Sequence, residues 1–275
     1  MQVLLSRRSV SPGVIDGIDG ENFRKAVAQF RRQQNLPPGD EIDQLAWLSL
    51  GGEAANDVIA EYVLTEKDIS YDFADEIPRD YAKQAKMKRL SYTSPAERLG
   101  ERFHMSEALL GALNPKQAFS EAGERLLVAS VRRSPEKGAA LRIDAVKSTG
   151  MVLVFGAQDV VLASYPATIG SETTPSPSGE YVVERIARNP NYTYDPEKNF
   201  QQGKNTETLV LPPGPNGPVG TVWIALSKPT FGIHGTPEPA KVSKTTSHGC
   251  IRLTNWDAEE LADLVKPGVA VRFVD

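Results

Sequence analysis

The spacing of apolar positions changes twice along the chain. In "ENFRKAVAQF", Phe23, Ala26, Val27 and Phe30 fall at the i, i+3, i+4, i+7 spacing of one helix face. "SPGVIDGIDG" before it is rich in turn formers, and "LPPGD" after it stops the helix before Ile42, Leu45, Ala46 and Trp47 resume an apolar stripe. Residues 1–50 are therefore expected to form a small helical bundle. Residues 51–87 are acidic, show no clear period and read as a connector.

Residues 88–131 carry a different pattern. "SPAE" at Ser94 to Glu97 predicts a capped helix start with Pro95 in the first helical position, and "MSEALLGALNP" predicts a second short helix from Ser106. A strand-like "RLLVASV" follows. "RRSPEKG" at 132–138 reads as a linker, and in 139–275 the period becomes two or the runs become continuously apolar: "LRIDAV", "MVLVF", "VVLASY", "YVVERI", "VWIAL" and "VAVRFV". Six short strands separated by Gly and Pro predict a mostly-β domain. One helix is expected near its end, where Thr254 and Asp257 make a capping pair ahead of Ala258, Leu261, Ala262 and Leu264. The fold class expected is α+β and multidomain.

A length of 275 residues exceeds one typical domain of about 100–200 residues, which agrees with two or three units. Lys and Arg number 31 against 35 Asp and Glu, so the chain offers no cationic excess for nucleic acid. No apolar run approaches a membrane span. The amino end has only "VLL" before Arg7 and Arg8 and does not read as an export signal. A single cysteine cannot close an intramolecular disulfide.

That cysteine lies in "TTSHGCIRLTN", one glycine from His248. A lone Cys can be an inert buried thiol or a nucleophile, and thiol chemistry requires a base and donors for an oxyanion. Gly249 can take a tight backbone conformation that turns its amide and that of Cys250 towards one oxygen. The base must come from elsewhere, because His248 and Cys250 share a side only in extended chain. "FGIHG" offers His234 between glycines, and His234 is expected to be the base. Each histidine alone could equally be a satisfied structural residue, and His104, in "ERFHMSE", is read as a helix-end residue without chemistry. A zinc site needs three or four protein ligands, and Cys250 with two histidines would have to borrow Glu238, so neither a metal nor a cofactor is expected. The long segment 187–218, rich in Asn, Tyr, Pro and Gly, reads as a lid or binding loop, with Tyr192 and Tyr194 as substrate-facing candidates.

"IHGTPEP" followed by "SHGCIRLTNWD", together with "TTPSPSGEY" and "PPGPNGPVGTVWIAL", is similar to the L,D-transpeptidase (YkuD, ErfK-type) catalytic domain over residues 139–275. Many members carry Asn two residues after the Cys where this chain has Arg252, as the ErfK-type subset does. "SPGVIDGIDGENFRKAVAQFRRQQNLPPGDEID" resembles the peptidoglycan-binding type 1 domain. Residues 88–131 resemble a LysM carbohydrate-binding module of βααβ form, with "TSPAE" in place of the usual glycine-aspartate-threonine entry.

These resemblances imply a cysteine acyltransferase acting on peptidoglycan. Cys250 would attack the L,D bond of a tetrapeptide stem, release D-Ala, and pass the acyl group to an amine of another stem, giving a 3–3 crosslink, or of a lipoprotein. His248, Gly249 and Cys250 would form the oxyanion side, with Ser247 and Arg252 flanking the pocket. The partners implied are stem peptides and glycan, and the place of action is the periplasm or cell envelope, the export signal having been removed. The competing expectations are a hydrolase of the same thioester, such as an L,D-carboxypeptidase, and a catalytically inactive wall-anchoring protein. Wall recognition and chemistry are expected to occupy separate units.

Overall fold

The computed structural model describes residues 1–131, 137–170, 176–245 and 249–275. Three helices open the chain: α1 (Gln2–Arg7), α2 (Glu21–Gln33) and α3 (Gln44–Ser49). They share a core of Leu4, Leu5, Val10, Ala26, Val27, Phe30 and Leu50, so the stripe read from the α2 sequence is the face that packs inward.

The next stretch departs from its sequence reading. Strand β1 (Ile59–Val63) lies inside the expected connector 51–87, followed by α4 (Glu66–Ile69) and α5 (Tyr81–Gln84). After α6 (Pro95–Arg102) and α7 (Glu107–Leu113), β2 (Arg125–Ala129) returns to pair antiparallel with β1, in register from Ile59↔Ala129 to Val63↔Arg125. Four helices, not two, thus lie between the paired strands, and the first strand comes from the expected connector, upstream of the boundary expected at 88. The α6 start differs in one detail. Ser94 accepts from the Glu97 amide, while the Glu97 carboxylate reaches past Ser94 to accept from the Thr93 amide at 2.6 Å.

The remaining chain builds β3 (Arg142–Val146), β4 (Met151–Phe155), β5 (Val161–Pro166), β6 (Thr168–Ile169), β7 (Gly179–Arg188), β8 (Tyr192–Tyr194), β9 (Leu209–Leu211), β10 (Val222–Leu226), β11 (Gly232–His234), β12 (Ile251–Arg252), α8 (Asn255–Leu264) and β13 (Ala270–Val274). Among the described residues these give a nine-stranded sheet in the order β5-β4-β3-β13-β7-β10-β11-β12-β6 and a separate β8–β9 hairpin. The long β7 is the hinge of the sheet: Gly179–Val182 pairs with β13 and Val183–Arg188 with β10. Side chains from both halves, including Ile143, Val154, Tyr165, Ile224, Ile233 and Ile251, bury one core, and α8 adds Ala258, Leu261 and Leu264.

The front units are not strung apart from this sheet. Ser11 and Ser9 exchange backbone hydrogen bonds with Ser164 of β5, extending its edge, and Ser11 Oγ donates to Asp257 of α8 at 2.8 Å. No helix among the described residues is long and apolar enough to cross a membrane.

Candidate active site

Parallel pairing of β11 with β12 assembles the site. Ile233 lies opposite Ile251 and His234 opposite Arg252, and side chains two apart on a strand share a face. Cys250, two before Arg252, therefore joins His234 and Arg252 on one face, while Ile233 and Ile251 point the other way into the core with no exposed surface. Cys250, His234 and Arg252 line one cavity of ≈ 180 Å³.

His234 is 6% exposed and stacks on the Trp223 indole, with centroids 5.6 Å apart and planes at 21°. The indole crosses β11 at Gly232, where a Cβ would fall 2.6 Å from the ring. His234 Nδ1 is 2.6 Å from the Gly235 carbonyl. A carbonyl only accepts, so Nδ1 carries the proton and Nε2 holds the free lone pair. Burial, and secondarily the Arg252 charge, lower the His234 pKa to about 4. At neutral pH the ring is an uncharged, oriented proton acceptor.

The orientation is itself held from below. A Cβ on Gly235 would lie 2.2 Å from Asn255 Oδ1, so only glycine lets the chain pass. Asn255 Oδ1 accepts from the Thr221 and Thr236 amides, and its Nδ2 donates to Pro215 O and to both carboxyl oxygens of Glu101 on α6, at 2.8 and 3.0 Å. Asn255 escaped the sequence reading although it sits in the quoted "LTNWD"; only its partners reveal its work. Glu101, more than 150 residues away, left no sequence signal.

Cys250 is half-buried, and burial pushes its thiol pKa up, against smaller opposing effects of a Gly232 backbone hydrogen bond and the Arg252 charge. The thiol donates towards Thr230 O at 3.7 Å. Both the Cys250 thiol and the His234 ring are thus held towards their neutral forms. Gly249 has φ 101°, a conformation that favours glycine, and its carbonyl accepts from Ser176 Oγ at 2.8 Å. Ser247 and His248 lie outside the described residues.

Of the two tyrosines expected to face substrate, Tyr192 lines the cavity. Tyr194 does not: it is fully buried, packed with Leu90 and Leu211, and its hydroxyl accepts from the Gln202 amide at 2.9 Å and donates to Asn205 O. The cause is a covering segment, residues 77–90, that docks on the β8–β9 hairpin and seals Tyr194 beneath it. The same segment brings a residue from outside 139–275 to the cavity, because Tyr81 lines it together with Cys250.

The model of the YkuD family, described as the L,D-transpeptidase catalytic domain, matches residues 140–272. The chain is 31% identical over 170 residues to the YkuD protein of Bacillus subtilis (strain 168), named as an L,D-transpeptidase, covering 62% of this chain and 87% of that protein. It is 32% identical over 114 residues to the ErfK/SrfK protein of Escherichia coli (strain K12), also named as an L,D-transpeptidase, covering 40% of this chain and 36% of the other. Among solved structures, L,D-transpeptidase 3 from Mycobacterium tuberculosis with a faropenem-derived adduct aligns with a TM-score of 0.41 and 17% identity, over 56% of this chain and 75% of that one.

Proposed function

This chain belongs to the YkuD family of L,D-transpeptidase catalytic domains, and we propose that within it Cys250 is the nucleophile and His234 the base of acyl transfer between peptidoglycan stem peptides. The observation that carries this reading is the convergence of Cys250, an uncharged His234 with Nε2 free to accept, and the cationic Arg252 on one cavity.

The donor is a tetrapeptide stem ending in diaminopimelate and D-Ala. The thiol proton passes to His234 Nε2 as Sγ bonds the diaminopimelate carbonyl carbon, and the resulting oxyanion meets the Gly249 and Cys250 amides, a role the family resemblance extends to His248. Collapse breaks the C–N bond to D-Ala, whose amine takes the proton from His234. An amine of a second stem then attacks the thioester, gives a proton back through His234, and leaves as the new amide while Cys250 recovers its thiol. Arg252 flanks the donor and Tyr192 faces it, and the family resemblance assigns Ser247 to the same pocket. The front units, by their resemblances, hold the protein to glycan in the cell envelope, and a lipoprotein amine is a second acceptor of the same chemistry.

Incubating the protein with muropeptides and weighing the products tests this. A 3–3 dimer supports transfer, a tripeptide alone shifts the reading to hydrolysis of the thioester, and unchanged substrate sinks it. Cys250→Ala is expected to abolish turnover and to prevent the mass increase that a carbapenem adds to the wild-type protein.

A further inference from the structure

Segment 77–90, which precedes the family domain, does more than cover the hairpin. Tyr81 N donates to Gln202 Oε1, Gln202 Nε2 donates to Arg79 O, and Asn205 Nδ2 donates to Asp80. The Tyr81 ring meets Tyr192, Tyr194 and Phe200 edge-on at centroid distances of 6.1, 5.4 and 6.2 Å. Two stretches more than 100 residues apart therefore close one aromatic wall, with Tyr81, Tyr192 and Phe200 reaching the cavity.

The polar groups of that cavity are asymmetric in charge. Among the described residues its lining includes Arg252 and Lys198 and no carboxylate, although the Glu238 charge outside the lining also acts on Arg252. Lys198 is committed to Asp195 at 2.8 Å, which leaves Arg252 as the charge facing inward. Burial pushes the Tyr81 hydroxyl up to about 12, against the smaller opposing effect of Arg252, so it is an intact O–H donor at neutral pH.

We infer that Tyr81 and Arg252 together form a carboxylate-binding subsite beside Cys250, with Tyr81 a specificity-determining residue contributed from outside the catalytic family domain. A guanidinium supplies the charge, and a phenol still protonated at neutral pH supplies a second donor without adding a competing anion. The identity of that carboxylate as one of the donor stem's rests on the proposed function; the subsite itself does not.

The chain has one cysteine, so alkylation reports on Cys250 alone. Iodoacetate and iodoacetamide are alike in size and react by the same displacement, so the ratio of their rates cancels thiolate fraction and access and isolates the preference for an anion. Wild-type protein should favour iodoacetate relative to free cysteine at the same pH. Tyr81→Phe, which keeps every ring contact, should cut that ratio by about tenfold, the effect of one hydrogen bond to a charged group. D-Alanine should also slow alkylation of the wild type by iodoacetamide more than D-alaninamide does, a comparison that needs no variant. An unchanged ratio in Tyr81→Phe, or equal protection by the acid and the amide, overturns the subsite. On muropeptides, Tyr81→Phe should raise KM for a stem with a free terminal carboxylate and leave its C-terminal amide unaffected. If wild-type protein ignores stems while the alkylation ratio still falls in Tyr81→Phe, the subsite stands and the transpeptidase reading fails. If stems react and neither readout moves, the reverse holds.

Discussion

Replacing Glu101 with Gln removes a charge-bearing group from the seam between α6 and α8 while keeping one oxygen for Asn255 Nδ2. Burial first, then repulsion by Glu259 and Glu97, raises the Glu101 pKa from 4.5 to about 8, against the Asn255 and Tyr92 hydrogen bonds that favour ionisation. The unfolded chain loses this proton near pH 4.5 and the folded protein keeps it to about pH 8. Stability from this group is therefore complete below pH 4.5 and drains away as pH rises to about 8. Between pH 5 and 7.5 the linkage amounts to about 3 kcal/mol, or about 2 kcal/mol allowing for the part of Glu101 that water still reaches. Urea unfolding of both proteins at pH 5, 6.5 and 8 measures it. The Glu101→Gln curve should gain about 2 kcal/mol on the wild type across that range, and titrations not coupled to Glu101, that of His234 included, cancel in the difference. Parallel stability profiles would show that Glu101 is ionised in the fold, and the account of the seam would fail.

Two further outcomes follow from the site. Because the His234 pKa is lowered to about 4, the base is already free of its proton at pH 5, so the acid limb of the acylation rate should lie near pH 4, and a limb at the ordinary histidine value of 6.5 would contradict the buried neutral ring. His234→Gln should slow acylation by a carbapenem about 10²–10⁴-fold at neutral pH and recover part of the rate in alkali, where hydroxide supplies the thiolate; a loss equal at every pH would remove His234 as base. Gly235→Ala drives a Cβ against Asn255 Oδ1 and should cost about 1–3 kcal/mol in thermal or urea unfolding. It should also slow acylation through the displaced carbonyl at His234 Nδ1, whereas normal rates with lowered stability would confine Gly235 to packing.

What the sequence discloses here depends on how far each residue's partner lies along the chain. The six apolar runs became β3, β4, β5, β7, β10 and β13, because alternation is written within five to ten consecutive residues. β6, β11 and β12 span only two or three residues each and exist through their neighbours' hydrogen bonds, so no local pattern announces them. β1 was hidden in an acidic stretch because its partner β2 starts more than 60 residues later. Cys250 and His234 stood out because "IHG" and "SHGC" are compact motifs and each residue type carries its own chemistry. Tyr194 misled for the opposite reason: a tyrosine amid Asn, Pro and Gly looks exposed until residues 77–90 arrive to cover it. Tyr81 belongs to that covering segment, and it enters the cavity only because the β8–β9 hairpin gives it rings to pack against. The thiol and the imidazole are thus brought together by two neighbouring strands, whereas the aromatic wall of their cavity depends on a contact between stretches more than 100 residues apart.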